Sequence, residues 1–253
     1  ILGSGLMGHG IAFVSAFYKH NVIMLDKSKK KAEMGLDNIK KILSKDVKSG
    51  SYDVQKSKKI LSRILATSSY KHLQSCDIII EAVFEDFHIK RQVTLEAHKR
   101  MKPSAIFASN TSTLPITELA KNSQRPDKFL GLHFFSPVHR MELVEIIKGN
   151  STSKDTLSKA YNYVKSIGKT PITVNDGKGF YTTRVFERYT CEGMALLYEG
   201  IDPKRIEDLS KKAGYPIGPL AILDEINISL ASKIRETIRK DPKSVDEPWD
   251  LVM

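Results

Sequence analysis

Cysteine is almost missing from this chain. Its 253 residues include two, Cys76 and Cys191, far apart and matching no metal-ligand spacing. No metal site is therefore expected, and so sparse a use of cysteine points to a reducing compartment. Long apolar runs are missing too. The longest falls well short of the roughly 20 residues a membrane-spanning helix needs, and no basic-then-apolar leader ahead of a cleavage site is read. Internal repeats and low-complexity segments are likewise not seen.

What is present is ordinary globular material, 41% hydrophobic and 27% charged. The net charge of +11 invites a nucleic-acid reading. Yet the positive residues are scattered, denser only at 27–31 and 56–59, with no aromatic-interleaved RNA motif or zinc finger among them. No nucleic-acid partner is expected. Such a surface also attracts small polyanions, including phosphorylated cofactors. Ile1-Leu2 stands directly against a glycine loop, and Trp249–Met253 is amphipathic with no stop signal, so both ends are expected to be internal to a longer protein.

Through about Val174, β-rich apolar runs alternate with helical patterns. Strands are expected at 21–26, 63–67, 77–83, 105–109, 128–135, 143–148 and 169–174. Helices are expected near 7–19, 29–48, 53–62, 87–101 and 153–166. Runs such as Asp-Ile-Ile-Ile-Glu-Ala-Val are continuous rather than alternating, which suits parallel strands covered on both faces. The alternation predicts an α/β fold with a doubly wound, Rossmann-type sheet over residues 1–174. After Asn175-Asp176-Gly177-Lys178-Gly179, three helical stretches (180–199, 202–213, 219–240) follow with no strand candidate. They predict a smaller all-helical domain over 175–253, whose wide apolar faces suit cleft cover and packing either against a second subunit as a homodimer or against a further repeat of the same chain.

Gly3-Ser4-Gly5-Leu6-Met7-Gly8 is a G-x-G-x-x-G sequence lying between a strand end and a helix. A second strand then ends in Asp26, where a ribose-binding carboxylate belongs. Glycines there let the backbone turn and approach a pyrophosphate at the helix N-terminus. Asp26 would accept ribose hydroxyls and repel a 2′-phosphate, favouring NAD over NADP.

A doubly wound sheet binds its ligands outside the carboxyl ends of the strands, and a proton acceptor for chemistry beside a bound dinucleotide would lie there. An imidazole suits that task because it titrates near ~6.5. His133, near the end of the strand 128–135, meets the positional rule. Glu145, on the next apolar strand, can accept a ring hydrogen and fix the tautomer. His139, Arg140 and Glu142 are expected to face water. Glu85 reads as a polar contact on the cofactor side of the cleft, and Glu81 stays open. The hydroxyl and amide groups of 109–113, Asn110 and Ser112 among them, can bind a substrate oxygen. Lys90 reads on spacing alone as a surface lysine, with ribose or phosphate as its functional alternative.

GSGLMGHGIA, DIIIEAVFEDFHIKRQV, FASNTSTLPIT, GLHFFSPVHRMELVEII, DGKGFYTTR and AGYPIGPLAILDE occur in order along the chain. Together they resemble the L-3-hydroxyacyl-CoA dehydrogenases of fatty-acid β-oxidation. Ser136 and the Tyr-Thr-Thr-Arg after Phe180 look like the multifunctional, trifunctional-type members, in which a hydratase/isomerase precedes the dehydrogenase.

The resemblance implies NAD as cofactor, an acyl-CoA as substrate, and most readily the mitochondrial matrix, with peroxisome and bacterial cytoplasm as alternatives. It makes His133 the catalytic base, Glu145 its orienting carboxylate, and Ser112 a residue at the junction of substrate and nicotinamide, with Asn110 close by. Gly3, Gly5, Leu6, Met7, Gly8, Asp26, Val83, Phe84, Glu85, Lys90, Asn110 and Ser136 fall at cofactor-side positions. Thr183, with Ser112 and Asn110, falls on the substrate side. Ser136 and Thr183 stand where single-function members carry asparagine, and the second of those asparagines touches the substrate's acyl end, so Thr183 bears on that contact. The basic stretch 29–59 is expected to meet coenzyme A phosphates. Two rival readings stand beside this one: an NAD-binding fragment without independent turnover, and nucleic-acid binding through the basic surface.

Overall fold

The computed structural model describes residues 1–226, which fall into two compact units, Ile1–Tyr181 and a second beginning at Thr182. In the first unit, seven strands form in the expected order: β1 (Val22–Leu25), β2 (Ile64–Thr67), β3 (Ile78–Glu81), β4 (Ile106–Ser109), β5 (Phe129–Phe134), β6 (Leu143–Lys148) and β7 (Thr170–Asn175). β1 pairs with β2, and β3 through β7 pair in sequence order. Leu2 joins the two groups by bridging in parallel to Leu25 and Glu81. The amide of Leu2 donates to the Ile80 carbonyl and its own carbonyl accepts from Ala82, at 2.8 and 2.7 Å.

β3, β4 and β5 are parallel, as the continuous apolar runs predict, but β6 runs antiparallel to β5. The parallel expectation fails there because the connection from Phe134 to Leu143 is too short for a crossover of a dozen or more residues. The reversal sets residues directly opposite each other, His133 against Glu145. β7 is parallel to β6 and carries Pro171, which an edge strand tolerates because no ladder donor is needed on its outer side.

The helices begin where short polar side chains can cap them. Ser28 accepts from the Lys31 amide at the start of α2 (Lys29–Lys48), and Asp53 from that of Lys56 before α3 (Val54–Leu61). Asp86 caps α4 (Phe87–His98) and Ser153 caps α6 (Lys154–Ser166) in the same way. On α2 the buried Ala32, Gly35, Ile39 and Leu43 recur every three or four residues, the apolar stripe that docks it. α1 (Leu6–Phe17) follows the glycine loop and is buried along most of its length.

One helix was not expected. α5 (Ile116–Ala120) lies between the expected strands at 105–109 and 128–135, and its first amides, Ile116 and Thr117, donate to the Asp176 carboxylate at 2.9 and 2.7 Å. Because Asp176 caps α5 and the Tyr181 amide bonds to Glu145, residues 175–181 belong to the sheet unit. The units divide after Tyr181, against the expected 174/175.

The described part of the second unit is helical: α7 (Thr182–Tyr198), α8 (Pro203–Lys212) and α9 (Pro219–Ile226). Asp202 caps α8 with Pro203 as its first residue. Glu207 of α8 accepts from the Leu220 and Ala221 amides that open α9. Gly193 of α7 meets Pro219 so closely that an added Cβ would fall 2.5 Å from the proline ring. The expected continuation of α9 to Lys240 lies outside the described residues.

Candidate active site

The carboxyl ends of the parallel strands carry nearly every candidate. Gly3 follows the bridging segment, Asp26 follows β1, and Val83, Phe84 and Glu85 follow β3. Asn110 and Ser112 follow β4, His133 is the penultimate residue of β5, and Ser136 lies just beyond its end. Thr183 is in the other unit, in the first turn of α7, where it is half-buried.

The glycine loop fits a dinucleotide. Gly3 has φ +93°, and a Cβ there would sit 2.5 Å from the Ala82 carbonyl oxygen; at Gly8 a Cβ would overlap the Gly3 carbonyl. Only glycine permits this turn. At Gly5 an added Cβ would meet nothing within 4 Å, so the outer side of the loop is open to a ligand. The N-terminus of α1 has neither a side-chain cap nor an acid in its first turn, which leaves its amides and dipole to an anion. Leu6 is exposed and Met7 half-buried above it.

Asp26 holds its place through Oδ2, which accepts from the Ser4 amide at 2.8 Å and the Ser4 hydroxyl at 2.7 Å, while Oδ1 takes the Lys27 amide at 2.8 Å. Burial pushes its carboxyl up. The Ser4 and Lys27 hydrogen bonds and the Lys31 charge outweigh that and hold it below the usual carboxylate range. It stays an anion with acceptor capacity to spare for ribose hydroxyls.

His133 and Glu145 form the centre. Nδ1 of His133 lies 2.7 Å from Oε2 of Glu145, with Glu145 fully buried. The Tyr181 amide donates to the other oxygen, Oε1, at 3.0 Å. A carboxylate so held accepts Nδ1–H, which leaves Nε2 as the ring's proton acceptor. Phe135 and Phe180 lie beside the imidazole, their ring centroids 4.4 and 6.1 Å away. Phe180 is buried and has φ +51°, following Gly179 at φ +72°. The Phe180-Tyr181 turn was not picked out as functional from the sequence, although its glycines were the available signal. His139, Arg140 and Glu142 are exposed, as expected.

Lys90 is the main revision. It is 1% exposed, and its ammonium lies 2.8 Å from Glu81 and 3.2 Å from Glu85. The surface reading fails because two acids close over the amine. Glu81, left open from the sequence, is equally buried and also accepts from Ser109 Oγ at 2.7 Å. Glu85 Oε1 accepts from the Thr111 hydroxyl, from the Ser112 amide at 3.1 Å and from the Thr113 amide at 3.2 Å. Burial raises the Glu85 carboxyl, but the Lys90 charge and these bonds hold it below its ordinary range. Asn110 Oδ1 accepts from the Phe134 amide at 2.9 Å, fastening the same loop beside His133. Phe84 is 77% exposed and contributes a bare apolar face next to Glu85. Among the described residues there is no group of histidine, cysteine and acidic side chains that could hold a metal, and no helix long and apolar enough to cross a membrane.

A family model described as 3-hydroxyacyl-CoA dehydrogenase, NAD binding domain, matches residues 1–177, and one described as 3-hydroxyacyl-CoA dehydrogenase, C-terminal domain, matches 179–249. Among solved structures the chain is similar to (S)-3-hydroxybutyryl-CoA dehydrogenase from Ralstonia eutropha, at 34% identity and TM-score 0.91, covering 98% of this chain and 88% of that one. It is also similar to 3-hydroxybutyryl-CoA dehydrogenase from Escherichia coli, at 31% identity and TM-score 0.86, over 89% of this chain and 48% of that one. The dehydrogenase part of multifunctional enzyme 1 from C. elegans matches at 25% identity and TM-score 0.70, over 93% of this chain and 54% of that one.

Proposed function

The chain belongs to the 3-hydroxyacyl-CoA dehydrogenase family of NAD-dependent oxidoreductases, and from that premise we propose that it oxidises the 3-hydroxyl of an L-3-hydroxyacyl-CoA to a ketone in fatty-acid β-oxidation. The observation that carries this reading is the buried His133–Glu145 pair, 2.7 Å apart, on the strand edge that also bears the glycine loop. Bound NAD supplies the acceptor for the hydride that leaves the carbinol carbon. Nε2 of His133 takes the hydroxyl proton as that carbon is oxidised, and Glu145 stabilises the imidazolium through Nδ1–H. Phe135, Phe180 and the buried strand ends keep water from the pair. Gly3, Gly5, Leu6, Met7 and Gly8 hold the pyrophosphate side, Asp26 the adenosine ribose, and Ser112 and Asn110 the side facing the reacting oxygen. The exposed lysines of α2 and α3 supply positive charge for coenzyme A phosphates.

In the test, 3-hydroxybutyryl-CoA and NAD are mixed with the protein and NADH is followed. His133→Ala is expected to lower kcat by about 10²–10⁴, the range for losing a general base, with NAD affinity by calorimetry within about twofold since the ring lies off the glycine loop. A variant as fast as wild type would remove His133 from this role. Ser136 and the Tyr181-Thr182-Thr183-Arg184 stretch support a multifunctional, mitochondrial setting. Fractionation of cells followed by blotting for the full-length protein checks the compartment; recovery outside mitochondria would reject it.

A further inference from the structure

Three strand and helix ends converge on one carboxylate that the chemistry above does not use. Glu81 closes β3 with 1% of its surface exposed. Its Oε1 accepts from the Val83 amide and from Lys90 Nζ, each at 2.8 Å, and its Oε2 from Ser109 Oγ at 2.7 Å. Its backbone carbonyl takes the Asn110 amide at 2.7 Å. One residue therefore fixes the end of β3, the end of β4 and the first turn of α4.

The same ammonium reaches on to Glu85, and Glu85 accepts from the amides of Ser112 and Thr113 and from the hydroxyls of Thr111 and Thr113, the Thr113 amide being shared with Thr111 Oγ1. A buried ammonium between two carboxylates is an expensive way to fill space. Apolar side chains of similar volume would serve packing as well or better, because taking each ion out of water costs several kcal/mol. The arrangement does give a rigid, charged strut that ends on the loop carrying Ser112. The other end of that loop is tied through Asn110 to the Phe134 amide, next to His133.

We propose that Glu81 is a positioning residue. Through Lys90 and Glu85 it sets the loop 110–113, and so the place of Ser112 relative to His133. The inference rests on the dehydrogenase reading for its kinetic consequence, but not for its structural one. With Glu81 neutral, the ammonium of Lys90 loses its anchor on β3, so Glu85 is no longer held at a fixed place and its grip on the loop amides weakens; removing Lys90 as well breaks the same link.

The experiment uses Glu81→Gln in the full chain, with two readouts. Amide hydrogen exchange at Ser112 and Thr113 is expected to quicken by about tenfold, the effect of losing one charge-assisted hydrogen bond. In acetoacetyl-CoA reduction, kcat is expected to fall by a similar ~10-fold, while the pH profile set by His133 keeps its midpoint because the His133–Glu145 pair is untouched.

A lowered melting temperature with wild-type exchange and kinetics would make Glu81 merely structural and overturn the proposal. Should Glu81→Gln fail to fold, Glu81→Gln with Lys90→Met removes both partners and leaves no unpaired buried ammonium. That double variant is expected to fold and to show the same loop exchange and kinetic defect. Wild-type behaviour in it would overturn the proposal equally. Faster exchange in a protein whose wild type oxidises no 3-hydroxyacyl-CoA would uphold the strut while rejecting the dehydrogenase reading.

Discussion

A glutamine at position 145 would keep the shape of the glutamate and reverse its instruction to the histidine. The Tyr181 amide needs an acceptor at Oε1, so the glutamine oxygen turns that way and its NH₂ group faces His133 Nδ1. Nδ1 must then be unprotonated, the ring proton moves to Nε2, and the atom meant to receive the substrate proton is already occupied. Glu145→Gln is therefore expected to lower kcat by roughly 10⁴, in line with carboxylate-to-amide changes that impose the wrong tautomer. NAD affinity by calorimetry should stay near wild type. Activity within tenfold of wild type would mean that the Tyr181 amide does not dictate the amide's orientation. Sequence alone offered His133 and Glu145 as a pair, because both lie on apolar strands flanking one turn. It could not offer Tyr181, whose contribution is a backbone amide and leaves no mark on residue type.

Among elements, those whose cause is local were readable and those whose cause is distant were not. The seven strands follow from apolar runs, and α2, α4 and α6 from their helical patterns. β6 was placed correctly and its direction missed, although the short link from Phe134 to Leu143 held the clue. α5 was missed because its cap comes from Asp176, on the far side of β7 in sequence. The burial of Lys90 was missed for a like reason, since its partners come from β3 and the turn after it. Asp176→Ala tests the distant cap. It strands two amides of α5 and frees the segment that ends in Tyr181. Urea denaturation should show a loss of about 1–2 kcal/mol, the usual cost of removing a cap. An unchanged midpoint would show that packing of Ile116 and Leu119 alone holds α5.

For the whole molecule, the buried groups divide acid sensitivity into two pH windows. His98 is 5% exposed, stacks on Phe107, and has an Nδ1 without a partner. Burial first, and then the Arg125 charge, bring its pKa from 6.5 down to about 4. Between those values the unfolded chain binds a proton that the folded chain refuses, so stability falls as pH drops through that window. Asp26 and Glu85 are shifted the other way in effect. Their folded pKa values lie below the ordinary 3.8 and 4.5, so the stability they contribute is present above those values and is lost only under more acid conditions. His139, lowered by burial and by Arg140, is exposed enough for solvent to screen it. His98 by itself therefore contributes a decline between pH 7 and pH 5 of about 2 kcal/mol. His98→Leu removes the titrating ring. It costs Ser123 Oγ one partner, yet that hydroxyl still accepts from the Arg125 amide at 3.0 Å. Urea melts at the two pH values should show the wild type losing about 2 kcal/mol more on acidification than the variant does. Equal losses in both would mean that the imidazole is protonated in the folded protein at pH 5, and that the pocket between Phe107 and Ser123 is wetter than its burial indicates.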